Sequence, residues 1–277
     1  MPMETITVES GFVWREGVGG VRLLVCEALE REGFANAFPT RAGGTSPFPA
    51  DALNLAGFDQ DSRENILENR RRLLSALGGR WRLAACWQVH GSDILVVKDP
   101  ADSGSEQNRC DALTTRTPGV LLGVKTADCV PVLIGDPRTG ACAAVHAGWR
   151  GTLAGIARRA LARMGEEFGT RAADVRVAVG PAALDCCYEV GPEVVVAFRE
   201  NFPGADSLFT PTREGHALVN LHRANSEQLV AAGVEPERIH LLPLCTMCRT
   251  DLFFSYRKEK RPDTPTGRHL SVVGRRA

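Results

Sequence analysis

The sequence has no excess of charge of either sign, since 33 lysines and arginines balance 33 aspartates and glutamates in 277 residues. A net charge of zero creates no overall field that would draw the chain to nucleic acid or to an anionic membrane. Long apolar runs are also absent: none approaches the ~18 residues needed to cross a bilayer, and the run from Val120 stops at Lys125. We therefore expect neither a nucleic-acid partner nor a membrane partner.

Histidine is scarce and cysteine is odd in number, with six and nine residues respectively. An odd count leaves at least one cysteine unpaired, and the chain lacks the dense cysteine framework of a small secreted domain. The first residues show no basic segment followed by an apolar stretch, which is the pattern of a secretory signal. These features predict a cytoplasmic protein whose cysteines are thiols.

Short apolar runs alternate with longer segments of helical periodicity. Apolar stripes predict helices over 61–77, 152–168, 192–198 and 221–232, with a capping box at Asp61 and Glu64 and an N-cap at Thr152. The Asp, Pro and Gly of 136–140 predict a tight turn and an antiparallel hairpin. Mixed helices and hairpins indicate an α+β layered fold rather than a parallel doubly wound sheet. The predicted strands are 83–89, 94–97, 120–124, 130–134, 141–145, 175–179 and 239–242, and the polar stretch 99–109 is predicted to be a surface loop of a single domain.

Three segments place a histidine or a cysteine at the end of an apolar run: they contain His90, Cys129 and His146. Loops at strand ends can aim side chains at a common point. Two imidazoles and a thiolate would hold a metal ion with one position open, as in catalytic zinc sites, and an open position binds water or a substrate oxygen. The three residues match no short zinc motif, so packing of each in the core is the competing interpretation.

Basic residues near these segments indicate where an anion could bind. Residues 148–151 join a strand end to a helix N-terminus, where backbone N–H groups and the forked guanidinium of Arg150 favour an anion. A tight strand–helix turn would need the same glycines, and the pattern is not a Walker or dinucleotide loop. Arg41, in a glycine-containing segment, is a further candidate.

The C-terminal stretch 257–277 is basic, with seven lysines and arginines against two acidic residues. Arg257 follows the apolar residues 252–254, so we expect it to be held in place and count it as another anion candidate. We interpret Arg275 and Arg276 as part of a solvated basic tail.

The remaining chemistry-bearing motif is a single Cys-x-x-Cys formed by Cys245 and Cys248. A zinc ribbon needs a second pair at a suitable spacing, and the adjacent Cys186 and Cys187 do not provide one by that criterion. We interpret Cys248 as structural and leave the role of Cys245 open. A fourth metal ligand at Cys245 would favour a structural metal.

Taken together, the motifs resemble the YfiH-type purine nucleoside phosphorylases, a family also labelled laccase-domain or multicopper polyphenol oxidase proteins. The resemblance covers roughly residues 34–274. The sequence departs from the family at Cys110, where alanine is frequent, and at Pro39, where threonine or serine is usual. The matching segments are 39–44, 53–55, 68–70, 88–91, 111–113, 126–133, 146–151, 180–181, 188–191, 245–246, 253–257 and 266–268.

The resemblance implies a catalytic Zn²⁺ held by His90, Cys129 and His146, with Cu²⁺ possible at the same site. It implies a four-layer α/β/β/α sandwich with mixed sheets as a single catalytic domain over 34–277, onto which an N-terminal extension, 1–33, packs. The implied reaction is phosphorolysis of adenosine, inosine and methylthioadenosine, with an adenosine deaminase side activity. Its partners would be purine nucleosides and phosphate, and we expect a monomer.

We assign further roles as hypotheses. Arg150 and Asp128 are the catalytic candidates, Arg150 as the phosphate-positioning cation and Asp128 as an acid or base, with orientation of a ligand histidine as the alternative for Asp128. Residues assigned to substrate or phosphate binding are Arg41, Asn54, Gly148 and Arg257.

Three other functions stay open. A copper oxidase of the laccase type needs, besides a His₂Cys site, a trinuclear copper cluster built from imidazoles, which six histidines without any His-x-His pair do not supply. A metal-free hydrolase would use Cys129 as nucleophile and a histidine as base. A binding protein with a structural zinc would need a fourth ligand.

Overall fold

The fold is built on two six-stranded sheets, seen in a computed structural model that describes residues 11–47, 49–99, 108–261 and 265–277. In spatial order, the first sheet contains β1 (Phe12–Glu16), β2 (Arg22–Cys26), β3 (Phe34–Pro39), β16 (His269–Arg275), β8 (Val120–Thr126) and β5 (Arg82–Ala84). The second contains β15 (Ile239–Leu241), β11 (Arg176–Val179), β9 (Val130–Gly135), β10 (Cys142–Ala147), β7 (Ala112–Thr115) and β6 (Ile94–Val96). Both sheets are mixed, because β5 pairs with β8 in parallel, as do β6 with β7 and β11 with β15.

Shorter elements complete the structure. A three-stranded sheet has the order β12 (Glu189–Val190), β14 (Ala217–Val219) and β13 (Phe209–Pro211), and β4 (Ala42–Ser46) is bridged to Ala52. The helices are α1 (Glu27–Arg31), α2 (Arg63–Leu77), α3 (Trp149–Leu153), α4 (Ile156–Phe168), α5 (Pro192–Asn201), α6 (Leu221–Ala231) and α7 (Tyr256–Glu259), with 3₁₀ turns at Ala172–Asp174, Ala205–Leu208 and Pro236–Arg238.

Three apolar clusters join these elements into layers. Alternate residues of a strand point to opposite faces, so Leu122 of β8 packs between the two sheets whereas its neighbour Leu121 packs with Leu73 of α2 on the outer face. On the far side, Val132 of β9 packs with Met164 of α4 and with residues of α5 and α6. The clusters therefore follow the predicted α/β/β/α order, and the α+β class is confirmed.

The best local prediction is the hairpin at 136–140. β9 and β10 are antiparallel neighbours, and a carboxylate oxygen of Asp136 accepts hydrogen bonds from the backbone N–H groups of Arg138 and Thr139. The turn is thus stabilised by its own side chain, which is why its sequence was sufficient to predict it.

Some predicted boundaries are wrong. The helix expected from Thr152 is broken: Thr152 belongs to α3, and α4 begins at Ile156 after Gly155, which adopts a left-handed φ of 73°. The strand expected over 83–89 ends at Ala84. The N-cap of α2 is Ser62, whose hydroxyl accepts the N–H of Asn65.

The interpretation of Arg275 as part of a solvated tail is also wrong. Residues 269–275 form β16, a central strand of the first sheet between β3 and β8. The Arg275 guanidinium lies over the Phe34 ring and donates to the carbonyl of Glu32. Because this stretch is rich in basic residues, the strand was not predicted. Its apolar residues are buried in two clusters, one on each face of the sheet.

The predicted extension, 1–33, contributes β1, β2 and α1, and β2 pairs with β3, so its described part is continuous with the first sheet. The division at residues 33 and 34 stays a prediction. Residues 1–10 of the extension, and 100–107 of the predicted surface loop, lie outside the described residues. Among the helices that the structure describes, none has the length and apolar character needed to span a membrane.

Candidate metal centre and active site

The structure brings His90, Cys129 and His146 together from three separate segments. His90 lies in the loop after β5, Cys129 in the connection between β8 and β9, and His146 in β10. Their potential ligand atoms all lie within 4.8 Å of one another, and the two imidazole rings meet edge to face at 4.9 Å between centroids. His90 is exposed, Cys129 is partly exposed and His146 is buried. The group therefore forms a site that is anchored in the sheet and reachable from solvent.

The loop that carries His90 is fixed at two points. The side-chain amide of Gln88 accepts the backbone N–H of Lys125 and donates to its carbonyl, each at 2.7 Å, as a neighbouring strand would. His90 itself has a left-handed φ of 58°, a conformation that costs on the order of 1–3 kcal/mol for a non-glycine residue and persists only where the surroundings enforce it. The enforcing group is the carboxylate of Asp111.

Asp111 is fully buried and holds both histidines in place. Its carboxylate accepts the backbone N–H groups of Val89, His90 and Gly91 at 3.2, 2.9 and 2.7 Å, and it lies 2.8 Å from Nδ1 of His146. Because Nδ1 is engaged, Nε2 is the nitrogen of His146 left for a metal. Sequence reasoning gave Asp111 no role. The signal available was general: a ligand histidine needs a partner for its second nitrogen, and carboxylates commonly supply it.

The charges at the centre favour an ionised thiol. Burial raises the pKa of Cys129, but the adjacent His146 and His90 outweigh burial and lower it to about 6. Burial lowers the pKa of His146, but Cys129 and Asp111 raise it to about 9. Burial likewise raises the pKa of Asp111, and the hydrogen bonds from His146 and the backbone bring it below its ordinary value. The thiolate, which is the metal-binding form of cysteine, is thus the stable form at neutral pH.

The donor set and its surroundings fit a metal ion. Two imidazoles and one thiolate suit zinc or copper, and the Asp111 carboxylate orients the His146 ring through Nδ1. The absence of a side chain at Gly148 also leaves space for two of these residues. A Cβ added there would lie 3.1 Å from Sγ of Cys129 and 3.1 Å from Cδ2 of His90. Gly148, which was predicted from sequence to bind substrate, therefore lies against two of the three candidate metal ligands.

We predict that Gly148→Ala lowers metal affinity by at least about tenfold, the effect typical of displaced groups around a metal site. The new methyl group would push Cys129 and His90 apart. Gly91→Ala is the matched control, because its Cβ would make only ordinary contacts, 3.5 Å to Oδ2 of Asp111 and 3.6 Å to Val89. Competition with a chromophoric chelator measures both affinities, and equal losses in the two variants would contradict the steric explanation.

Asp128 precedes Cys129 and is held on both oxygens. One accepts the Thr246 hydroxyl at 2.7 Å and the other the backbone N–H of Arg257 at 2.6 Å. Its φ of 92° is left-handed, so these bonds also sustain a strained turn. Asp128 therefore ties the segments 244–252 and 253–259 to the residue beside the thiolate. The bond to Nδ1 of His146 is made by Asp111 instead.

Arg150 and Arg257 lie in aromatic surroundings. Arg150 is exposed in the first turn of α3, with its guanidinium 4.1 Å from the centre of the Trp149 ring. Arg257 lies 5.2 Å from the Tyr188 ring and donates to the carbonyl of Glu189. Trp149, Tyr188 and Arg257 line one cavity of about 310 Å³. The backbone N–H of Arg257 bonds to Asp128, which precedes Cys129, and Trp149 follows Gly148, which lies against Cys129 and His90, so this cavity is next to the His₂Cys group. Burial and the negative charge of Cys129 both raise the pKa of Tyr188, to about 12.

Arg41 and Asn54 are engaged within the protein. The Arg41 guanidinium forms an ion pair with Glu259 at 2.7 Å and lies over the Phe254 ring. Asn54 is buried, and its side-chain oxygen accepts the backbone N–H groups of Ala56 and Arg268. These contacts give both residues bracing roles around 253–268, whereas their assignment to substrate binding stays a prediction.

Arg268 is a candidate that sequence reasoning included only as part of a matching motif. Its guanidinium lies 5.1 Å from the Tyr256 ring and donates to the carbonyls of Thr266 and Gly267. Burial lowers its pKa, while Tyr256, Cys129 and Asp128 oppose that effect. Arg268 is therefore a half-buried cation that packs against Tyr256, the residue before Arg257.

Cys245 is not a fourth ligand of this centre. Its thiol lies with those of Cys186, Cys187 and Cys248 in a second group, separate from that of His90, Cys129 and His146. The spacing argument, by which Cys186 and Cys187 do not provide the second pair of a zinc ribbon, did not predict this proximity, which the fold supplies.

Comparison with known proteins identifies the class. The family described as "Multi-copper polyphenol oxidoreductase laccase" matches residues 35–276, and the chain belongs to this family. More particularly, it is 37% identical to the purine nucleoside phosphorylase YlmD of Geobacillus stearothermophilus over 263 residues, which is 91% of this chain and 94% of that protein. It is 38% identical to a purine nucleoside phosphorylase of Bacteroides thetaiotaomicron, over 91% and 96% of the two chains. The crystal structure of YlmD from G. stearothermophilus superposes with a TM-score of 0.85 at 35% identity, covering 96% of this chain and all of that one (100%).

Proposed function

We propose that this protein is a zinc-dependent purine nucleoside phosphorylase, which converts a purine nucleoside and phosphate into the free base and ribose 1-phosphate. The observation that carries the proposal is the solvent-accessible His₂Cys centre beside a cavity lined by Arg257, Tyr188 and Trp149. It is supported by relatives named purine nucleoside phosphorylase that align with most of the chain. Adenosine, inosine and methylthioadenosine are the substrates we propose.

The metal would be held by His90, Cys129 and His146. When bound there, it supplies a Lewis acid with a position open to a phosphate oxygen, a sugar hydroxyl or water. Asp111 keeps Nε2 of His146 available, and Gly148 leaves the space that the ligands occupy. The protein would therefore supply three ligands to the metal and leave one coordination position open for substrate or water.

The cations would hold the phosphate. Phosphorolysis brings a dianion to C1′ while positive charge develops on the ribosyl centre, so fixed guanidinium groups are needed to orient the nucleophile. The backbone N–H of Arg257 bonds to Asp128, the guanidinium of Arg268 lies over the ring of Tyr256, which precedes Arg257, and Arg150 belongs to the helix that follows His146. The neighbouring rings of Tyr188 and Trp149 offer apolar faces for the purine.

We assign Asp128 to positioning in this scheme. A proton donor to the leaving purine must carry a proton, whereas the Asp128 carboxylate already accepts bonds from Thr246 and Arg257 on its two oxygens. Its charge and geometry instead hold the backbone of Arg257 next to the thiolate. The proton for the departing base would then come from water.

The test is incubation of metal-assayed protein with adenosine, with and without phosphate. We expect adenine and ribose 1-phosphate only when phosphate is present, together with loss of the reaction on chelation and its recovery with Zn²⁺. Product analysis by chromatography separates the functions. Cleavage that survives chelation would overturn the zinc dependence, and free ribose formed in the absence of phosphate would favour the metal-free hydrolase with Cys129 as nucleophile.

Deamination of adenosine at the same centre is a second proposal. It needs only an accessible metal with an open position, and the exposed His90 gives that access. Inosine formed without phosphate in the same assay is the expected product. Absence of inosine would remove this side activity and leave the phosphorylase proposal intact.

The laccase function has weaker support. The described residues include all six histidines, and none besides His90 and His146 belongs to a group of three potential ligands. His222 contacts the carbonyl of Gly180, and His269 accepts the backbone N–H of Phe254. Copper could replace zinc at the His₂Cys centre, but a trinuclear cluster would lack its imidazoles.

A further inference from the structure

A second group of potential metal ligands lies outside the proposed active site. The four thiols of Cys186, Cys187, Cys245 and Cys248 lie within 4.8 Å of one another. The Sγ atom of Cys248 lies 3.1 Å from that of Cys187 and 3.7 Å from that of Cys186. In a tetrahedral zinc site with Zn–S bonds of about 2.3 Å, neighbouring sulfurs are about 3.8 Å apart. The four thiols are therefore already close to the spacing that one ion requires.

We propose that these four cysteines form a structural zinc site, independent of the His₂Cys centre. Four thiolates complete the coordination of zinc and leave no open position, which is the arrangement of structural rather than catalytic zinc. Sulfurs this close together enclose a single ion and leave no room for the inorganic sulfide of an iron–sulfur cluster. The proposal does not depend on the reaction that the protein catalyses.

The fold brings together two pairs of cysteines that lie far apart in the sequence. Cys186 and Cys187 lie in a turn at 185–187, and Cys245 directly precedes a second turn, 246–248, that contains Cys248. Each turn presents its sulfurs toward the other, although 57 or more residues separate the pairs in sequence.

The site would fasten two loops that build one wall of the active site. The backbones of the loops meet where Ala182 bridges Cys245, and the N–H of Thr246 donates to the carbonyl of Ala182 at 2.9 Å. The same Thr246 bonds to Asp128 through its hydroxyl, and Tyr188 directly follows Cys187. A bound ion would thus hold Thr246 and Tyr188 in place without touching substrate.

Metal counting on the full chain, purified under reducing conditions, tests the proposal. We expect two zinc ions per chain in the wild type by elemental mass spectrometry, one in Cys129→Ala and one in the double variant Cys186→Ser/Cys248→Ser. Both replaced cysteines of the double variant are exposed, so the core is not disturbed. Cys142→Ala, which removes a thiol that belongs to neither group, should keep two ions.

Cobalt substitution gives a second, spectroscopic readout. The Co²⁺ retained by Cys129→Ala should show the intense sulfur-to-metal bands of a tetrathiolate, and the double variant should show those of a single thiolate. The double variant should also melt at a lower temperature than the wild type. The proposal fails if the wild type holds only the ion that Cys129→Ala removes, or if peptide mapping finds a disulfide between Cys187 and Cys248. Should the double variant not fold, the single variants Cys186→Ser and Cys248→Ser and the wild-type metal count decide the question.

Discussion

Replacing Cys129 by alanine should remove the metal from the His₂Cys centre and lower the rate of phosphorolysis by roughly 10³-fold. The thiolate is the charged member of the ligand set, and two neutral imidazoles hold zinc far less tightly than three ligands do. A metal supplies several kcal/mol of transition-state stabilisation, and about 4 kcal/mol corresponds to roughly 10³ in rate. Metal analysis and product formation from adenosine, measured on the same preparation, check both parts.

The control for this prediction is Cys142→Ala, a buried thiol of β10 that lies in neither cysteine group. It should retain the metal and the activity. Circular dichroism should show the same secondary structure for both variants, because Cys129 lies in a connection between strands and not within one. A metal-free Cys129→Ala protein with full phosphorolysis would show that the centre is not part of the reaction.

The sequence predicted those parts of the fold whose stabilising contacts are local. The hairpin at 136–140 is closed by its own Asp136, and α2 carries its own cap and apolar stripe. β16 escaped prediction because its burial comes from pairing with β3 and β8, which lie more than 140 residues away. Only three apolar residues of β16, Leu270, Val272 and Val273, enter the core, and the basic residues around them made the segment resemble an exposed tail. In the structure, the Arg275 guanidinium packs on the Phe34 ring.

For the site, the sequence predicted which residues could bind a metal, but it did not predict which residues hydrogen-bond to them. His90, Cys129 and His146 were identified by their positions at strand ends and by family resemblance, and the structure brings them together. Contacts between residues distant in sequence could not be predicted in this way. Nothing in the sequence around Asp111 shows that its carboxylate accepts hydrogen bonds from three backbone N–H groups and contacts an imidazole. The four-thiol group escaped prediction for the same reason, because motif spacing describes only ligands that one short segment supplies.

Replacement of Asp111 should have the second large effect on metal binding, because its single carboxylate bonds to three backbone N–H groups and to His146. Asparagine has nearly the same shape but cannot replace it. If the amide oxygen faces Nδ1 of His146, the amide nitrogen meets the N–H groups of Val89 and Gly91, which then have no acceptor. If the amide is turned, its nitrogen donates to Nδ1 and leaves the proton on Nε2, which then cannot bind a metal. Either orientation harms one of the two histidines.

We therefore expect Asp111→Asn to weaken metal binding by about 10–100-fold, the range typical for loss of an outer-shell partner, with a parallel loss of phosphorolysis. Asp111→Ala should also destabilise the fold, since each buried donor left unpaired costs on the order of 1–3 kcal/mol. Thr114→Val is the matched control. Thr114 is buried like Asp111 and lies in β7, and its hydroxyl bonds to the carbonyl of Cys142, away from the metal ligands. Chelator competition gives the affinities and calorimetry of the metal-free proteins gives the stabilities. Wild-type metal affinity in Asp111→Asn, with only stability reduced, would mean that His146 does not bind through Nε2 and that Asp111 serves the loop alone.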